Sequence, residues 1–200
     1  LTAVYKAEAR TITYHDSLGV NADVVVNTYY GAEVSVNKGS IFDNPGYEFF
    51  NWYDDNNNET YDGDQNIHVA DSLILNAQWT EIEYNITYEG NDCFVTGNPD
   101  HYTVTDSIAI GNPEREGYEF VGWTTGNSST PVKNMSIAAG TTGDITLTAN
   151  WSAVDYQLNV DLNGGSVSVT APVSYTIESE DICLETPVLE GYTFTGWSGT

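Results

Sequence analysis

Apolar and polar residues alternate along most of this chain in short runs broken by Gly, Asn, Asp and Pro. Leu73, Leu75, Ala77 and Trp79 alternate with Ile74, Asn76 and Gln78, which places one apolar row on one face and predicts a half-buried strand. Ile145, Leu147, Ala149 and Trp151 repeat that row. Opening strands are predicted at Ile12 and Tyr14, at Tyr84, Ile86 and Tyr88, and at Tyr156, Leu158, Val160 and Leu162. Further short strands fit Val24–Val26, Tyr102–Val104 and Val173–Ile177. Helical periodicity is weak throughout, so each segment holds roughly four strands and at most one short helical turn.

The runs recur in register. Gly46-Tyr47-Glu48-Phe49-Phe50-Asn51-Trp52 returns as Gly117-Tyr118-Glu119-Phe120-Val121-Gly122-Trp123 and again as Gly191-Tyr192-Thr193-Phe194-Thr195-Gly196-Trp197. The spacing is 117 − 46 = 71 and then 191 − 117 = 74 residues, the period of a tandem array. Leu1-Thr2-Ala3-Val4-Tyr5 fits the closing-strand frame with Tyr5 at the Trp79 position. The expected organisation is therefore a closing strand of a preceding repeat at 1–9, a first repeat at 10–83, a second at 84–155 and a third at 156–200 without its closing strand. Short joints such as Glu81-Ile82-Glu83 favour a semi-rigid, elongated array.

These phrases resemble the Listeria-Bacteroides repeat, or internalin B-repeat, with its Gly-Tyr-x-Phe-x-Gly-Trp strand and closing Leu-x-Ala-x-Trp strand. Asp161-Leu162-Asn163-Gly164-Gly165 is similar to the family's opening hairpin, where Asn-Gly-Gly supplies positive φ. The chain departs from the pattern at Asn51, which replaces the Gly before Trp52, and in the first two units, which lack the Asn-Gly-Gly opener. The resemblance implies a mainly β, α+β fold of small β-grasp-like (ubiquitin-like) modules in tandem. It also implies an extracellular setting, on a bacterial cell surface or secreted.

Charge narrows the partners. Five Lys+Arg against 29 Asp+Glu give a formal net charge of -24, which repels nucleic acid and anionic headgroups. No run approaches the ~20 apolar residues of a spanning helix, and Leu1 to Arg10 lacks the build of a signal peptide, so any export signal or anchor is expected elsewhere. The repeat register places Cys93 and Cys183 in different modules at non-equivalent positions, against a disulfide between them.

Candidate chemistry is sparse. Asp54 to Asp64 sets oxygen ligands at alternate positions, as a Ca²⁺ loop does, but Glu59 and Gln65 stand where an EF-type loop wants Gly and Glu, so a solvated hairpin loop is the expectation and no cofactor is assigned. Trp52, Trp79, Trp123, Trp151 and Trp197 sit at strand positions, where a buried aromatic contributes ~2 to 3 kcal/mol; all five are expected in cores. Tyr29, Tyr30, Tyr53 and Tyr61 lie outside the repeated frame and form a candidate ligand patch for a host or cell-wall protein or glycan. His15, His68 and His101 have no neighbouring Cys or second His and read as surface loop residues. Adjacent acids such as Asp54/Asp55 and Glu178/Glu180 are expected by chance in so acidic a chain, and no catalytic residue is assigned. The expected role is a non-catalytic spacer or stalk whose partners are neighbouring repeats, with an adhesion module as the alternative.

Overall fold

Phe49 and Trp52 stand three residues apart, an odd spacing that a regular strand would send to opposite faces, yet both pack into one core. The computed structural model shows how; it describes residues 1–90 and 92–199. The chain divides into two compact units, one of residues 1–86, 99–108 and 137–144, the other of 87–98, 109–136 and 145–200.

In the first repeat the strands are β1 (Ala9–His15), β2 (Val24–Tyr29), β3 (Glu33–Ser35), β4 (Tyr47–Asp54), β5 (Glu59–Tyr61), β6 (Asn66–His68) and β7 (Leu73–Glu81). A five-stranded sheet has the order β2-β1-β7-β4-β5, and β3 pairs with β6 beside it. β1 runs parallel to β7, with Ile12 opposite Leu73 and Tyr14 opposite Leu75; β1 with β2, β4 with β5 and β4 with β7 are antiparallel. That mixed sheet with a parallel central pair is compatible with the β-grasp expectation. No α-helix occurs among the described residues; irregular chain with a 3-10 turn at Gly39–Ile41 leads instead into β4. The five-stranded sheet already exceeds the four strands expected from periodicity, and the side ribbon of β3 and β6 adds two more.

The ladder between β4 and β7 breaks register between Phe49 and Asn51, so Phe50 is the extra residue of a bulge. The bulge resets the alternation and turns both Phe49 and Trp52 inward. Trp52 is fully buried among Tyr14, Phe42 and Phe49, with ring centroids 4.8, 5.9 and 5.0 Å away, and its Nε1–H donates to the Asn37 carbonyl at 2.6 Å.

The second repeat copies this plan with β8 (Tyr84–Glu89), β9 (His101–Tyr102), β10 (Ile108–Ala109), β11 (Tyr118–Thr125), β12 (Ser128–Val132), β13 (Ser136–Ile137) and β14 (Ile145–Ala153). Its sheet order is β12-β11-β14-β8-β9, the same sequence of neighbours as in the first repeat. β11 carries the same bulge, between Phe120 and Gly122, and Trp123 is again fully buried with its Nε1–H on a carbonyl, that of Gly111 at 3.2 Å. Gly122 has φ +148°, and a Cβ there would lie 2.6 Å from the Val132 nitrogen. Asn51 at the same place in the first repeat takes no positive φ, and its Oδ1 is buried without a partner among the described residues. Gly122→Ala should therefore destabilise the second repeat by more than the roughly 1–3 kcal/mol of the strained dihedral alone, whereas Asn51→Ala should leave the first nearly unchanged. Calorimetric melting of the two variants checks the contrast; equal losses would contradict it.

The third repeat departs from its expected strands. It contains β15 (Tyr156–Gln157) paired with β16 (Ser174–Tyr175) and a bridge between Ser166 and Val188, while Gly191–Trp197 lies in no strand. Tyr192 and Trp197 are 77% and 40% exposed, so the expectation of a core Trp fails for Trp197; Trp79 and Trp151 are half-buried. The physical reason is the ladder: the phrase is a strand in β4 and β11 because β7 and β14 supply its hydrogen-bond partners, and a strand with an unpaired edge gains little. The Asn-Gly-Gly opener does form its turn, with positive φ at Asn163 and Gly164 and Gly165 N–H donating to the Leu162 carbonyl at 2.9 Å. Residues 1–8 likewise hold no place in a sheet, and Leu1, Val4 and Tyr5 are exposed; among the described residues no Gly-Tyr strand lies alongside them to make a closing strand.

Candidate functional site

The four candidate tyrosines do not form one patch. Tyr29 ends β2 and Tyr30 follows it, both exposed, whereas Tyr53 and Tyr61 belong to β4 and β5 at the other side of the sheet. β2 and β5 are the two edges, four strand spacings or roughly 19 Å apart. Tyr61 is the register partner of Trp52 and packs against the core, while Tyr53 is on the opposite face. Each hydroxyl is taken locally: Tyr53 donates to Asn58 Oδ1 at 2.5 Å, and Tyr61 to Glu59 Oε2 at 2.8 Å. Burial, then the hydrogen bond and charge of Glu59, push the Tyr61 hydroxyl up to about 12.

The Asp54 to Asp64 segment is a hairpin between β4 and β5 and the turn beyond it. Asp54 is fully buried; its Oδ1 accepts from the Asn56 amide at 2.9 Å and its Oδ2 from Asn57 Nδ2 at 2.7 Å. Asp55 accepts from Asn76 Nδ2 at 3.0 Å, and Asp64 pairs with Lys38 at 2.8 Å. These oxygens hold the loop, and among the described residues no three His, Cys, Asp or Glu side chains come together as metal ligands would. His15, His68 and His101 prove to be strand residues, in β1, β6 and β9, and His15 meets Asp23 at 2.6 Å. Cys93 and Cys183 are free thiols.

A residue that sequence reasoning passed over organises the first repeat. Asp16, just beyond β1, is fully buried. Its Oδ1 accepts from Leu18 N–H, Asn44 Nδ2 and Trp79 Nε1 at 3.2, 3.0 and 3.2 Å; its Oδ2 accepts from Val20 N–H, Asn21 N–H and Asn21 Nδ2 at 3.2, 3.0 and 2.9 Å. Burial by itself would raise its pKa, but the donors from Asn21, Asn44 and Leu18 outweigh it and hold the carboxyl at about 2. The hub ties the opening hairpin to the residue before the Gly-Tyr turn and to the closing Trp. Tyr88 contacts Trp123 as Tyr14 contacts Trp52, which aligns Asp16 with Gly90; there Trp151 Nε1, though buried, has no partner among the described residues.

The feature common to repeats is a joint at the signature glycine. Gly46 has φ +89°, its carbonyl accepts from the linker amide of Ile82 at 2.9 Å, and a Cβ would lie 2.6 Å from Val104 Cβ. Gly117 has φ +76°, its carbonyl accepts from the Val154 amide at 2.9 Å, and a Cβ would lie 2.6 Å from Ile177 Cδ1. Gly46 and Val104 belong to one compact unit, Gly117 and Ile177 to the other. Each aliphatic residue rides on a turn closed by its own side chain: Thr103 N–H donates to Asp106 Oδ2 at 2.7 Å, and Thr176 N–H to Ser179 Oγ at 2.9 Å. The glycine is thus required twice over, by its dihedral and by the side chain seated on it.

A family model described as the Listeria-Bacteroides repeat domain matches residues 11–78, 84–150 and 156–200. Two proteins of Evansella cellulosilytica are similar: one with the provisional name Gly-rich membrane protein, 31% identical over 176 residues, and one with the provisional name membrane protein, 26% identical over 178. Each alignment covers 83% of this chain, but only 20% and 26% of the respective relative, so the chain spans about a fifth to a quarter of their length. No helix among the described residues is long and apolar enough to cross a membrane.

Proposed function

We propose, from the premise that this chain belongs to the Listeria-Bacteroides repeat domain family, that it is a non-catalytic spacer in a bacterial surface or secreted protein, holding other domains at a distance from the cell. The observation that supports this reading is the joint formed twice in the same way, by Gly46 with Ile82 and Val104 and by Gly117 with Val154 and Ile177. A joint built from the repeat's own signature residues serves the order of an array, whereas a recognition surface needs side chains particular to one unit. The tyrosines offered for such a surface are separated across the first sheet.

Small-angle X-ray scattering at low and high salt tests the spacer. The expected result is a maximum dimension well above that of a compact chain of this length and little changed by salt. A compact particle, or saturable binding to cell-wall glycan that Tyr29→Ala and Tyr30→Ala abolish, would replace the spacer with an adhesion module.

A further inference from the structure

Beside each seated aliphatic residue lies a hydrogen bond between one hydroxyl and one carboxylate, and the two joints assign these groups in opposite senses. At the first, Thr105 Oγ1 of the following repeat donates to the Glu81 carboxylate of the preceding one, at 3.1 and 3.0 Å from its two oxygens. At the second, Tyr118 of the preceding repeat donates its hydroxyl to Glu178 Oε1 of the following one at 2.9 Å. Thr105 and Glu178 occupy the same place, each the residue after the aliphatic one.

The preceding partners are also matched. Glu81 is the register partner of Tyr47 at the start of β4, and Tyr118, the counterpart of Tyr47, faces Ala153 at the start of β11. Where the preceding repeat carries an acid, the following one presents a hydroxyl; where that acid is replaced by Ala153, the following one presents Glu178. Arg115 adds to the second joint by stacking 3.7 Å from the Tyr118 ring centroid. At both joints the acid meets a hydroxyl and not a second acid, a contact that would add repulsion to a chain of net charge -24.

We infer that this pairing of one acid with one hydroxyl is a neighbour code: a repeat ending in Glu, as at Glu81, accepts a following repeat with a hydroxyl at the Thr105 place, and a repeat ending in Ala, as at Ala153, accepts one with Glu there. The partner is a second module of this same repeat, chosen by complementarity at two positions. Exposed pairs of this kind are individually weak, so the code biases the joint between docked and open forms and does not decide whether a module folds. The inference rests on the joint geometry and holds whether the array is a spacer or an adhesin.

Hydrogen exchange of the Ile82 amide reports on the first joint through its cover, because that amide bonds the carbonyl of Gly46, the glycine on which Val104 of the following repeat is seated. Thr105→Glu sets two carboxylates against each other and should lower Ile82 protection about twofold to fivefold at low salt, less at high salt. Glu81→Ala alone should lower it by no more than that. The double variant Glu81→Ala with Thr105→Glu copies the second joint and offers the introduced carboxylate to the Tyr47 hydroxyl, so protection should recover to near the wild-type value. Core amides of both repeats and the Val154 amide should be unchanged in all three, which separates an opened joint from an unfolded module. Ala153→Glu should lower Val154 protection while leaving Ile82 alone. Equal protection in all variants, or a double variant that adds the two single losses, would overturn the code.

Discussion

Trp52→Ala is expected to cost the first repeat about 3–5 kcal/mol, the range for removing a large aromatic side chain from a packed core. Trp52 is fully buried, holds three aromatic neighbours and satisfies the Asn37 carbonyl, so its loss opens a cavity and strands an acceptor. Trp123→Ala should do the same to the second repeat. Trp197→Ala, at the same place in the signature, should cost under about 1 kcal/mol, because that side chain is 40% exposed and its segment joins no sheet. Denaturant unfolding followed by fluorescence checks all three. Equal losses would mean that the third repeat has the same core as the others.

Asp16→Ala should be the next most damaging, on the order of 3 kcal/mol, since it leaves Asn21, Asn44 and Trp79 donors without their acceptor in the interior. The same carboxylate makes the first repeat sensitive to acid. Its folded pKa of about 2 lies below the ordinary 3.8, so the stability it contributes is fully present above about pH 4 and is lost as pH falls through the folded value. The difference of 3.8 − 2, about 1.8 units, corresponds to on the order of 2 kcal/mol. The second repeat has Gly90 at this position and lacks that contribution. Melting between pH 5 and roughly pH 2 should therefore lower the first transition of the wild type more than that of Asp16→Asn; parallel curves would contradict the assignment.

The repeat, its register and the inward rows of β1, β7, β8 and β14 were legible because period-two alternation and recurrence are properties of single segments. The bulge was also written in the sequence, in the odd spacing of Phe49 to Trp52 and of Phe120 to Trp123, but only a shared core shows that both residues of each pair must face the same way. Strand formation in the third repeat departs from the pattern for a related reason: Tyr192, Phe194 and Trp197 keep the spacing of a strand, and spacing alone supplies no hydrogen-bond partner. The tyrosine patch failed because Tyr29 and Tyr61 are separated by sheet order, which no local spacing reveals.

Asp16 was invisible among so many acids; its signal lies in Asn21 and Asn44, two amides unrelated along the chain that bond each other, Asn21 Nδ2 donating to Asn44 Oδ1 at 3.0 Å, and converge on the hub. The joint was hidden more deeply. A signature glycine reads as a turn residue, and Gly46 and Gly117 do take positive φ, but the side chains that sit on them come from a turn of the next repeat nearly sixty residues on, 104 − 46 = 58 and 177 − 117 = 60.

The most direct test of the joint as the organising feature is a spin-label distance distribution across it, with labels at the exposed positions Thr60 of the first repeat and Ala139 of the second, and both native cysteines replaced by Ser. A single narrow distribution in the wild-type background that broadens with Gly46→Val is the predicted result. A broad distribution already present with Gly46 intact would show that the repeats are strung on free linkers and that the glycine only makes a turn.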